Sequence, residues 1–174
     1  MEERFKLMAF CDDVKPSISC IEEFIKADRA ATLFEMSAGS EVSAHMFRLV
    51  HGLQPCEERV AHTLQNTPPT CKYDCPGSPV ADSVHCYLQC RLTSEVGQWL
   101  VGLVRTFNPQ TTNDSLLRLN IDARNNTDAV VWINAHTLNY CWARRKVGKV
   151  ANLTHCKAEL TADATILHIV IFRN

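Results

Sequence analysis

The sequence predicts a mainly α (α+β) fold: a short N-terminal β-hairpin and a helix, followed by a helical C-terminal region built around a zinc knuckle. Three observations predict it. Apolar residues recur at three- and four-residue steps through several stretches, as in Cys20, Phe24, Ala27, Ala31 and Phe34. Helix stops and breakers such as Gly39, Asn108-Pro109 and Gly148 punctuate those stretches. Between them Cys71, Cys75, His85 and Cys90 stand as C-x3-C-x9-H-x4-C in a loop containing Pro and Gly. Thiolate and imidazole are soft or borderline ligands, and four of them in one short loop can close round a tetrahedral Zn²⁺.

At 174 residues the chain is long enough for one domain that buries roughly two-thirds of its unfolded surface. A net charge of -1 excludes binding nucleic acid through a global basic field, so any such role rests on local clusters. Nine cysteines is an odd count, and the opening MEERFKLMAFCDD has neither the apolar core nor the basic start of a secretory signal. The expected location is intracellular, nuclear or cytoplasmic, with cysteines as thiols or metal ligands, and the sequons at Asn113, Asn125 and Asn152 as chance matches. No apolar run approaches the roughly 20 residues of a membrane span, so no membrane partner is expected.

In chain order, Phe5, Leu7 and Ala9 form a strand-like run that reaches Phe10-Cys11-Asp12-Asp13 and turns toward Val14-Lys15-Pro16. Adjacent carboxylates on a tight turn offer hard oxygen ligands to Mg²⁺, although Asp is also an ordinary turn residue. Ser19 and Glu22 make a capping box for a helix that Gly39 stops. Met46, Leu49, Val50 and Leu53 mark a helix over Ser43 to Leu53, and Pro55, Glu57, Val60, Ala61 and Leu64 a second short one. His45, His51, His62 and Cys56 lack partners at ligand spacing and are expected at the surface or its boundary. Asn66-Thr67-Pro68-Pro69 then breaks the chain ahead of Cys71.

Within the knuckle, Cys86 competes with His85 as the third ligand. A closed four-ligand set leaves no place for catalytic water, which makes the expected role structural. Beyond it, Ser94 caps a helix carrying Val96, Trp99, Leu100, Leu103 and Val104, and a brief helix spans Ser115 to Leu119. Asn125-Asn126-Thr127 opens the strongest helix, whose Ala129, Val130, Ile133, Ala135, Leu138, Cys141 and Trp142 leave little polar surface and predict a central buried position. It ends on Arg144, Arg145, Lys146 and Lys149 with Gly148 as stop. That basic set complements the helix dipole, and it is also the candidate contact for RNA or DNA phosphates. A last helix starts near Asn152 with Leu153, Cys156, Leu160, Ala164 and Leu167. The closing ILHIVIF is apolar and β-branched, an aggregation-prone end.

Two blocks resemble one family. The run from Lys6 to Val42, KLMAFCDDVKPSISCIEEFIKADRAATLFEMSAGSEV, resembles the segment of non-long-terminal-repeat (LINE-type) retrotransposon reverse transcriptases that carries the F/Y-x-D-D box. HGLQPCEERVAHTL, the knuckle and WARRKVGKVANLTHCKAEL resemble the tail of the same proteins. The resemblance implies that residues 1-42 are a palm remnant in which Asp12 and Asp13 hold catalytic Mg²⁺, and that residues 43-174 are a helical zinc-knuckle tail. It favours His85 over Cys86 because His85 keeps the family's spacing to Cys90, although the nine-residue middle gap is longer than the family's. Two-metal phosphoryl transfer needs a further carboxylate from well upstream of the box. The direct join of the palm-like block to the tail-like block implies an internal deletion near Val42-Ser43, and the missing carboxylate implies that RNA-directed DNA polymerase activity is lost while zinc-dependent nucleic-acid binding is retained. The alternatives are a zinc-stabilised helical module that binds a protein partner, or a reading frame without function.

Overall fold

Helix propensity and apolar periodicity translate into six α-helices and one π-helical turn in the computed structural model, which describes residues 40–64, 67–121 and 127–166. In order these are α1 (Ser40–Val50), α2 (Glu57–Thr63), the π turn (His85–Gln89), α3 (Ser94–Phe107), α4 (Asn113–Leu117), α5 (Thr127–Lys146) and α6 (Leu153–Ile166). Among the described residues the protein is mainly helical, and its β pairing is a single antiparallel bridge between Thr70 and Val80. The expected N-terminal hairpin, the helix from Ser19 to Gly39, Asp12, Asp13 and the closing ILHIVIF end all lie outside the described residues, apart from Ile166, which closes α6.

α5 is the axis. Val130, Val131, Trp132, Ile133, Ala135, Leu138 and Cys141 are buried, as its nearly unbroken apolar middle predicts, and α1, the π turn, α3 and α6 pack around it. Polar Asn134 is tolerated inside because its amide donates at 2.6 Å to the Leu116 carbonyl, one of the acceptors a helix end leaves without an intrahelical partner. At the C-terminus, Lys149 N–H donates to Arg144 O and Gly148 N–H to Arg145 O, both at 2.9 Å. That pair of bonds is a Schellman motif, and Gly148 takes the left-handed φ of 70° it requires.

α3 buries Val96, Leu100 and Val104, one residue per turn, while Trp99 and Leu103 are half-buried. The expected cap shifts by one residue. Thr93 occupies the N-cap position, yet its hydroxyl lies 3.0 Å from Cys86 O and 3.3 Å from Cys90 O, so it closes the preceding turn and leaves the helix end uncapped. α4 begins two residues before the expected start because the Thr112 hydroxyl accepts from Ser115 N–H at 3.0 Å. α6 is capped by Asn152, whose Oδ1 accepts from His155 N–H at 2.9 Å, and it buries Cys156 and Leu160.

α1 also starts three residues early and runs unbroken through Val42-Ser43; Met46, Leu49 and Val50 are buried, but Leu53 lies beyond the helix and is exposed. α2 contributes only half-buried Val60 and Ala61. Two residues expected at the surface are inside. His45 is 1% exposed: Gln54 Nε2 lies 2.9 Å from its Nδ1, the Tyr87 hydroxyl lies 3.3 Å from its Nε2, and Tyr87 meets its ring edge-on. Cys56 is buried beside Ser83. Both are satisfied by residues distant in sequence, which helical periodicity alone does not reveal.

Candidate metal centre

The first two candidate ligands sit in a loop closed by backbone bonds. Cys71 N–H donates to Pro79 O at 2.9 Å and Ala81 N–H to Pro69 O at 2.8 Å, flanking the Thr70–Val80 bridge. The intervening turn bends back at Asp74, Gly77 and Ser78, all with positive φ, and Ser78 N–H donates to Cys75 O at 3.1 Å. Both thiols are buried within it.

The other two come from the π turn, where the Pro- and Gly-containing sequence predicts an irregular loop. Asp82 Oδ1 accepts from His85 N–H at 2.6 Å and so orients its entry. At its exit Cys90 N–H donates at 2.7 Å to the His85 carbonyl, a bond spanning five residues. At 3.6 residues per turn, positions five apart diverge by about 140° around an α-helix. The wider i→i+5 turn brings them back toward one face. The H-x4-C spacing thus has a backbone reason.

The result is convergence. One ligand atom from each of Cys71, Cys75, His85 and Cys90 lies within 4.8 Å of every other, and all four residues are buried. The sulfur separations are 3.6 Å for Cys71–Cys75, 3.7 Å for Cys75–Cys90 and 3.8 Å for Cys71–Cys90. A disulfide would need about 2.0 Å, so these are free thiols gathered round a common centre. The set can hold one metal ion. Buried His85 Nε2 has no hydrogen-bond partner, which is the state of an imidazole nitrogen reserved for another ligand.

Cys86 is not in this set. Its sulfur lies 3.5 Å from Ala81 O and 3.8 Å from Glu57 Oε2. The hydrogen bond with Cys56 and burial push its thiol far up, so it stays protonated. Placement puts His85 in the cluster and Cys86 outside it.

Electrostatics separate the thiols further. Burial raises the Cys71 pKa, but the Tyr73 backbone, the Cys75 thiol and Arg145 outweigh it and the net shift is down. Burial dominates at Cys90 and pushes it up to about 11. His85 is lowered, first by burial and then by the Arg145 charge, which favours the neutral imidazole a metal needs.

Arg145 stands where the sequence does not put it. Its place in the run with Arg144, Lys146 and Lys149 predicts a solvent-facing basic cluster, but it is 3% exposed and its guanidinium points at the centre. Nη2 donates to Glu57 Oε2 at 2.8 Å and to Cys71 Sγ at 3.7 Å, while the Tyr73 ring lies 4.9 Å beneath the guanidinium carbon. The Tyr73 hydroxyl returns a bond to Arg145 O at 2.6 Å. Of the cluster, Lys146 and Lys149 are exposed, and Arg144 is half-buried against the Tyr140 ring. Nothing in the local sequence marks Arg145 apart from Arg144. Its partners lie 72 to 88 positions away.

No helix among the described residues is long and apolar enough to cross a membrane. No family model, curated protein or solved structure matches the chain.

Proposed function

We propose that Cys71, Cys75, His85 and Cys90 hold one structural Zn²⁺, and that the helical unit built on it is the nucleic-acid-binding tail of a retrotransposon-type reverse transcriptase, without polymerase activity of its own. The convergence of the four ligand atoms carries the zinc assignment. A tetrahedron of metal–sulfur bonds of about 2.3 Å has sulfur–sulfur edges of about 3.8 Å, and the three separations of 3.6 to 3.8 Å fit that figure. Three thiolates and one imidazole are a donor set that selects Zn²⁺ in a reducing compartment. Four protein ligands leave no open position for substrate or water, so the ion's contribution is folding energy, about 10 to 16 kcal/mol of apparent binding in small zinc modules.

The retroelement reading rests on the resemblance of the two blocks, and it makes exposed Lys146 and Lys149, with half-buried Arg144, the phosphate contacts. Arg145 leaves that surface because it is buried. Asp12 and Asp13 would bind Mg²⁺ only together with carboxylates from a complete palm.

The zinc reading is tested by metal analysis of protein purified under reducing conditions. One zinc per chain is expected, falling to none in Cys75→Ser. Metal-free parent protein that keeps its native near-UV spectrum overturns it.

A further inference from the structure

We propose that Arg145 is a positioning residue for the metal centre: its guanidinium, clamped between Glu57 and Tyr73, donates to the Cys71 sulfur and makes that thiolate less reactive than that of Cys75. This rests on the zinc reading above and adds to it a group that never touches the metal. The geometry has three parts. Arg145 Nη2 lies 3.7 Å from Cys71 Sγ and 2.8 Å from Glu57 Oε2, so one amino group bridges thiolate and carboxylate. The Tyr73 ring, two residues from Cys71, supports the guanidinium at 4.9 Å and its hydroxyl holds the Arg145 carbonyl at 2.6 Å. Beyond Glu57, Lys72 Nζ closes the series at 3.8 Å from Oε1.

Charge balance says why the series exists. Three thiolates and a neutral imidazole around a divalent ion carry one net negative charge, and that charge is buried. Arg145 compensates it, Glu57 compensates Arg145, and Lys72 compensates Glu57 where the chain meets solvent. A buried arginine without those partners would be costly to bury, so its place at 3% exposure is explained by the centre it faces. Hydrogen bonds from neighbours to metal-bound ligands tune both retention of the ion and the reactivity of the ligand atom. The Cys75 sulfur instead accepts from a backbone N–H, that of Arg91, at 3.4 Å, so of these two sulfurs only that of Cys71 has the charged donor.

The test uses the zinc-loaded full chain with Arg145→Met, which keeps length and removes the donor, and Arg145→Lys, which keeps charge but not the planar fork. Zinc release to a competing chelator is expected to accelerate roughly 10- to 100-fold in Arg145→Met and less in Arg145→Lys. Alkylation by iodoacetamide, resolved by peptide mass spectrometry, is expected to rise at Cys71 several-fold more than at Cys75. In the cobalt-substituted protein the sulfur-to-metal charge-transfer band is expected to move to longer wavelength, because a thiolate without its donor is easier to oxidise. Where Arg145→Met does not fold, Arg145→Lys carries the same site-resolved readout at smaller amplitude. Equal rises at Cys71 and Cys75, or no change at Cys71, overturn the proposal while leaving zinc binding intact. A parent protein that binds no zinc overturns both.

Discussion

Gly97 and Leu88 touch backbone to backbone: a Cβ on Gly97 would lie 2.7 Å from Leu88 Cα and 2.7 Å from Tyr87 O. This is where α3 seats on the π turn that carries His85 to Cys90. Alanine ordinarily gains up to about 1 kcal/mol over glycine inside a helix. Here the backbone cannot yield cheaply, so Gly97→Ala is expected to destabilise by about 1 to 3 kcal/mol and to weaken metal retention. Gly102, in the same helix, has open space where a Cβ would stand, with no atom within 4 Å, and Gly102→Ala is expected to stabilise by up to about 1 kcal/mol. Chemical denaturation of both variants at fixed zinc checks the opposite signs.

The ligand assignment separates adjacent residues. Cys86→Ser is expected to keep one zinc per chain, since the Cys86 sulfur faces Ala81 and Glu57, whereas His85→Ala is expected to lose it. Chelation of the parent protein should likewise unfold the knuckle first, because backbone bonds across Pro69 to Ala81 and one π turn are little structure without the ion. Metal content by mass spectrometry and circular dichroism with and without chelator read this out. Zinc lost in Cys86→Ser but kept in His85→Ala would reverse the assignment.

His45 sets a pH dependence. Burial, and after it the charge of Arg48, lowers its pKa from 6.5 to about 3 in the folded protein. The folded state therefore holds the neutral ring. The stability this contributes is fully present above pH 6.5 and is lost as pH falls toward the folded value, because the unfolded chain takes up the proton first. Acidifying from about pH 7.5 to about pH 5 should remove about 2 kcal/mol through this residue alone. His45→Gln is expected to lack that part of the slope. The zinc ligands titrate in both proteins, so the difference between their stability–pH curves isolates His45, and identical curves would contradict it.

Nucleic-acid contact is read from salt. If Lys146 and Lys149 meet phosphates, replacing both with Gln should weaken single-stranded RNA binding without preference for sequence. It should also flatten log K against log salt by roughly 0.7 per contact removed. Filter binding across a salt series checks it. An unchanged slope would move the RNA-binding surface elsewhere or favour a protein partner.

What periodicity encodes is legible from the chain. The buried stripe Val96, Leu100, Val104, the axial burial of α5 and the Gly148 stop all follow from spacing and residue type, because those signals are local. The four clustered residues are legible for the same reason: they fall within one short stretch of chain and carry metal-binding donor chemistry. The π turn is not, since helical periodicity assumes 3.6 residues per turn and a five-residue hydrogen bond leaves no mark in the pattern. Arg145 and His45 escape a local reading because their surroundings are tertiary. Glu57 reaches Arg145 from the start of α2 and Tyr73 from the knuckle loop, and Gln54 and Tyr87 satisfy His45 from two other segments. A charged or polar residue is presumed solvated until such partners are known.

X-ray absorption at the zinc edge of the purified protein reads the proposed coordination by three thiolates and one imidazole without a variant. Three sulfurs at about 2.3 Å and one nitrogen at about 2.0 to 2.1 Å are expected. A shell of four sulfurs, or one dominated by light atoms, would contradict that coordination.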